Sequence, residues 1–114
     1  MSKALHHQIV TRARQLISDP TRWTQGELAK RRNGLPIEPF DAEAYRFCAV
    51  GALTRAASDL TGDIVAADAL ANEVHVALLI FAEIPAGQTL ECINDFGQGY
   101  AAILKIFDDY LAAH

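Results

Sequence analysis

The sequence predicts a mainly α-helical fold: a compact bundle of about four helices, with a short β-hairpin arm between the first and second helices. Three observations carry this. Apolar residues recur at three- and four-residue steps through most of the chain. Glycine and proline punctuation separates the periodic stretches. One segment breaks the helical period and carries Asn33-Gly34, a pair that tolerates the positive φ of a tight hairpin turn.

Each element has its own signal. In the first helix Leu5, Ile9, Ala13 and Leu16 recur on one face, with Ile17 beside them. Ser2 is placed to cap it, and Asp19-Pro20 stops it because proline disfavours a helical residue before itself. Around Asn33-Gly34, Trp23–Leu28 and Leu35–Glu38 read as the two hairpin arms, with Pro36 confining the second to an edge. A lone hairpin is marginal in water, so Trp23 and Leu28 must dock on the helices.

Asp41 is the expected cap of a central helix, with Glu43 in its first turn. Tyr45, Cys48, Ala49, Ala52, Leu53, Ala56 and Leu60 form its inward stripe, and Phe47 and Val50 widen it. Gly51 falls mid-helix, at a cost of about 1 kcal/mol relative to alanine, which points to another element passing close by. Gly62 ends this helix and Asp63 caps the next. There Ile64, Ala67, Ala71, Val74, Leu78 and Phe81 form a short seam for antiparallel packing. After the Pro85-Ala86-Gly87 loop, Thr89–Ile93 reads as a helical turn. Asn94-Asp95 and Phe96–Gly99 then lead into a last helix facing inward with Tyr100, Ile103, Leu104, Phe107 and Leu111. Asp108 and Asp109 sit near its C-terminus, where the helix dipole disfavours them.

At 114 residues the chain fits one globular domain, residues 1–114. Half of it is hydrophobic (51%) and a fifth charged (21%), so one core can form without disulfide staples. The net charge of −4 disfavours non-specific nucleic-acid binding. Two cysteines do not make a disulfide framework, and no signal peptide is visible. The longest apolar run, Val76–Ala82, is far short of a membrane span. The expectation is a cytoplasmic protein that does not engage a membrane.

Three motifs stand in order: Trp23-Thr24-Gln25-Gly26, Phe47-Cys48-Ala49-x-Gly51-Ala52-Leu53, and Asn94-Asp95. Together, over roughly residues 10 to 112, they resemble a family of small bacterial and phage proteins known only as a domain of unknown function. In that family an aromatic residue commonly stands where this chain has Ile93, and a Gly-Arg-Thr-like segment where it has Gly97-Gln98-Gly99. The resemblance implies a fold and supplies no activity.

The first functional expectation is a non-catalytic protein-binding or regulatory module. Its partner is an unnamed protein, or a second copy docking through the first or last helix. No acid–base pair or cofactor motif is assembled. No histidine or cysteine spacing matches a metal site: His6 and His7 diverge by about 100° on a helix, so neither a metal nor a cofactor is expected. The binding candidates are Trp23, Phe47, Asn94 and Asp95, together with Arg31 and Arg32 on the arm. An alternative is a papain-like hydrolase or transferase, because Cys48, His75 and Asn94 follow the Cys–His–Asn order. Against it, Cys48 on a helix begun at Asp41 lies too deep to gain from the dipole, and reads as a small buried hydrophobe. A second alternative is a nucleic-acid accessory protein. It would use the basic hairpin tip, where Arg22, Lys30, Arg31 and Arg32 gather without an interleaved aromatic residue to stack a base. A meeting point of the central helix, the Trp23 arm and the Asn94-Asp95 loop is the expected site.

Overall fold

The structure, a computed structural model, describes residues 3–96 and 99–114. Ser2 and the Gly97-Gln98 part of the last turn lie outside the described residues. The elements run α1 (Lys3–Leu16), a 3-10 turn (Pro20–Arg22), β1 (Ala29–Lys30), β2 (Arg46–Phe47), α2 (Ala49–Thr61), α3 (Ile64–Phe81), α4 (Leu90–Asp95) and α5 (Tyr100–Ala113). The fold is the expected helical bundle with a small antiparallel β element between the first two long helices. α2 is its centre: α1 and α3 pack along it, and α5 closes the far side of α1. The inward stripes hold in their middles, but Leu60, Ile64 and Phe81 at helix ends are exposed rather than inward. Ile9, Val10, Ala13, Leu53, Ala56, Val74, Leu78, Ile103 and Phe107 are buried in one core.

The arm differs from its expected form. Arg31 N–H donates to Leu35 O and Gly34 N–H to Arg31 O, so the loop has three residues, with Gly34 at φ 91° in its left-handed position. That is a type I turn closed by a glycine bulge rather than a two-residue turn. The arms are therefore short: Lys30 bridges Pro36, and Ile37 N–H donates to Ala29 O. Pro36 is on the edge, as its missing donor requires. Trp23–Leu28 is not the partner arm.

The other side of β1 pairs with Arg46 and Phe47, residues expected inside the central helix. Phe47 also bridges Trp23 on its far side, where Thr24 N–H donates to its carbonyl. Backbone groups bonded on both sides cannot enter a helix ladder, so pairing overrides the helical period here. Asp41 caps only a local turn, its carboxylate accepting from Glu43 N–H at 2.8 Å. α2 starts seven residues later than that cap implied, with Cys48 as its N-cap.

Other local expectations hold. Asp63 caps α3 by accepting from Val65 and Ala66 N–H. The two aspartates near the end of α5 are explained: Asp108 pairs with Arg14 of α1 at 2.8 Å, and Asp109 with Lys105 one turn back at 2.7 Å. α3 is long and apolar enough to cross a membrane by length and composition. Here it lays Ala67, Leu70, Ala71, Val74 and Leu78 into the core.

Among the glycines described, Gly51 marks the tightest approach of another segment. A Cβ there would collide with the carbonyl oxygen of Leu28, which also accepts from Cys48 N–H at 3.1 Å. The passing element is thus the backbone leading into β1, rather than an aromatic ring or a crossing helix. Gly51→Ala should destabilise the fold by about 3 kcal/mol or more, where an unobstructed helical glycine would gain about 1 kcal/mol from the same change. Urea unfolding measures it; a midpoint at or above wild type would show that the Leu28 backbone can step aside.

Candidate functional site

Two constellations emerge. The first joins the three sequence motifs; the second gathers the arginines.

The motif residues converge on the side chain of Asn94, which is fully buried at the end of α4. Its Oδ1 accepts from the indole N–H of Trp23 at 2.7 Å and from Ala49 N–H at 3.0 Å. Both partners are donors only, so the oxygen must face them. Its Nδ2 donates to Thr24 O and to Asp95 Oδ1, each at 2.9 Å. All four bonding positions of the amide are filled. Asp95 Oδ1 also accepts from Gly26 N–H at 3.1 Å, and Gln25 Nε2 donates to the carbonyl of Asn94 at 3.1 Å. Trp23 packs on Tyr100, ring centroids 5.3 Å apart. Gly99 closes the knot: at φ 43° it has the Asn94 carbonyl and the Trp23 ring where a Cβ would stand. Each buried bond contributes about 1 kcal/mol net, but an orphaned Trp23 or Ala49 N–H would cost about 1–3 kcal/mol.

Trp23, Phe47, Asn94 and Asp95 therefore do meet where expected, and they spend their polar groups on one another. Asn94-Asp95 does not cap α5, whose N-cap is Gly99 with no side-chain bond. It instead ends α4 and anchors both the Trp23 arm and the start of α2.

Cys48 sits at the N-terminus of α2, its sulfur accepting from Gly51 N–H at 3.3 Å. A helix N-terminus favours a thiolate. Burial opposes this and wins: with 3% of the residue exposed, desolvation pushes the thiol up to about 11, and the charges of Glu91 and Asp95 push the same way. His75 does not activate it. Its Nε2 accepts from Leu90 N–H at 3.1 Å, which fixes the start of α4. No hydrogen bond joins Cys48, His75 and Asn94 among the described residues. The papain-like order in sequence is not a papain-like arrangement in space.

The second constellation surrounds Tyr45. Arg22, Arg32 and Arg46 place their guanidinium carbons 4.3, 4.5 and 5.6 Å from its ring centroid. The Nε of Arg22 donates to Tyr45 O, and the Nε of Arg46 to Thr21 O at 3.0 Å, so both are held by backbone. None of the three meets a carboxylate among the described residues. Arg22, Arg32 and Tyr45 line a cleft; Arg46 is not part of its lining. Arg31 and Arg55 line it too but are paired, with Glu43 at 3.1 Å and Asp59 at 3.0 Å. The cleft encloses about 640 Å³. No two of the three guanidiniums lie more than about 10 Å apart, so each pair repels by at least roughly 0.4 kcal/mol at water's dielectric and about 1.7 kcal/mol at an effective value of 20. An anion entering the cleft relieves that repulsion.

Arg31 and Arg32 were legible as a basic tip. Tyr45, which the tip lacked in sequence, arrives through the pairing of β1 with β2. Arg46 arrives with it on β2, whereas Arg55 reaches the cleft from α2, donating to the carbonyls of Pro39 and Asp41.

Two solution measurements follow. Under native conditions iodoacetamide should alkylate Cys92, which is exposed, and leave Cys48 essentially unmodified; fast labelling of Cys48 would restore the nucleophile. The pKa of His75 is lowered, mainly by desolvation, with Glu91 opposing. The unfolded chain therefore binds the proton more readily, and this contribution to stability is complete above about pH 6.5 and falls as pH drops below it. His75→Gln should flatten that part of the stability–pH curve; an unchanged slope in chemical denaturation would exclude His75 as its source.

No curated protein and no solved structure matches the chain. A family of unknown function, DUF6197, matches residues 1–112. The chain belongs to that family.

Proposed function

We propose that this protein is a non-catalytic binding module that docks a partner protein through the arginine cleft around Tyr45. The observation that carries this is the grouping of Arg22 and Arg32 over the Tyr45 ring in a cleft of four arginines and one glutamate, neither of the two in an ion pair among the described residues. A chain of net charge −4 concentrates unpaired positive charge at one concavity, where it favours encounter with an acidic surface. The catalytic alternative has little to support it, because the Cys48 thiol is buried and its partners are engaged elsewhere. The motif knot serves this reading as scaffold: it fixes the Trp23 arm, which continues into Arg22 and the cleft. Two free cysteines fit a reducing cytoplasm.

The test is charge reversal inside and outside the cleft. Tagged wild-type protein should retain a partner that mass spectrometry identifies, and the purified partner should rebind it. Arg32→Glu should weaken that rebinding about 10-fold or more, as expected for losing a charge-assisted contact. Arg14→Glu, on the α1–α5 face, should leave it unchanged. Equal binding by wild type and Arg32→Glu would sink the cleft as the docking surface.

A further inference from the structure

We propose that the group seated in the cleft is a phosphate monoester carried on a side chain of an extended segment of the partner protein. This rests on the reading of the cleft as the docking surface.

Charge sets the first requirement. Of the four arginines that line the cleft, Arg31 is paired with Glu43, and Arg55 shares Asp59 with Arg12, so Arg22 and Arg32 carry the charge that no ion pair takes up. Two guanidiniums match a dianion better than a single carboxylate, and guanidinium forks suit phosphate oxygens geometrically. Arg22 is fixed through Nε to the carbonyl of Tyr45, which leaves its outer N–H groups to a ligand, and Arg32 commits no side-chain N–H among the described residues.

Shape sets the second. The cleft does not end at Tyr45. A further cavity of about 300 Å³ shares Arg22 and Tyr45 with it and runs on past Gln15, Ser18 and Thr21. These are neutral hydrogen-bonding groups along a trough, suited to a peptide main chain in extended form.

The same trough disfavours a nucleic acid. Asp19 lines it, and the N–H and hydroxyl of Thr21 keep its carboxyl below the usual range, hence ionised at neutral pH. A strand with a phosphate at every step would meet that charge; a segment with one phosphoryl group would not. The Tyr45 ring is already covered by guanidiniums, so it offers a base little platform.

The experiment is fluorescence anisotropy of the full chain against degenerate peptide pools centred on phosphoserine, phosphothreonine or phosphotyrosine, at about 0.15 M salt, where weak surface attraction is screened. The same pools without phosphate and a single-stranded RNA of equal length are run beside them. At least one phosphorylated pool should bind about 10-fold more tightly than its unphosphorylated counterpart. Arg32→Ala should abolish most of that difference. The Arg32 side chain makes no hydrogen bond or ion pair among the described residues, so the melting temperature reports whether the fold is intact. Equal affinity for phosphorylated and plain pools would overturn the proposal, as would RNA binding more tightly than every peptide pool. The two readings separate with the captured partner. If phosphatase treatment leaves its cleft-dependent binding intact, the phosphoryl group falls and the docking surface stands. If Arg32→Glu still binds the partner, both fall.

Discussion

The fold depends on one buried amide. Asn94 takes two N–H donors on its oxygen and gives two hydrogens from its nitrogen, with no water required. Those four bonds tie three distant segments: the Trp23 arm, the first residue of α2 and the end of α4. A buried polar group is costly unless fully satisfied, and when satisfied it admits one arrangement only. Slippage of the arm by one residue would orphan an indole, an amide and a carbonyl together. The knot thus specifies register, which apolar packing alone does weakly at a strip as short as β1 and β2.

That constraint also explains where the central helix begins. β2 lies between the Trp23 bridge and β1, and its backbone groups are consumed by both neighbours. α2 can start only after Phe47. Cysteine is a poor N-cap by residue type, and the Asn94 oxygen on Ala49 N–H supplies what the sulfur on Gly51 N–H supplies weakly. The glycine at position 51 then lets the Leu28 carbonyl lie against the helix. Cys48, Gly51 and Asn94 are one solution to a close strand-to-helix junction. Their reading as reactive groups gives way to this.

The three sequence motifs and the exposed chemistry are therefore in different places. The motif residues are turned inward and support the arm from below. The cleft is built next to the arm, from Arg22, Arg32 and Tyr45 with Arg31, Glu43 and Arg55. The knot steadies its wall, because Arg22 directly precedes Trp23. A cleft on so small a β element needs this anchoring, because two-residue strands have little stability of their own.

By itself the sequence determined the helical stripes of α1, α3 and α5, the Asp63 cap and the turn at Gly34. These are local patterns, repeating within one or two turns of chain, and nothing distant competes with them. It also marked Trp23, Phe47, Asn94 and Asp95 as residues that meet. Only the tertiary structure decided that Arg46-Phe47 is strand rather than helix, because the two states differ in partners about 20 residues away. Only it decided that Tyr45 lies among arginines and that Cys48, His75 and Asn94 stay apart. Both are consequences of long-range backbone pairing, whose hydrogen bonds outweigh a helical propensity worth a fraction of a kcal/mol per residue.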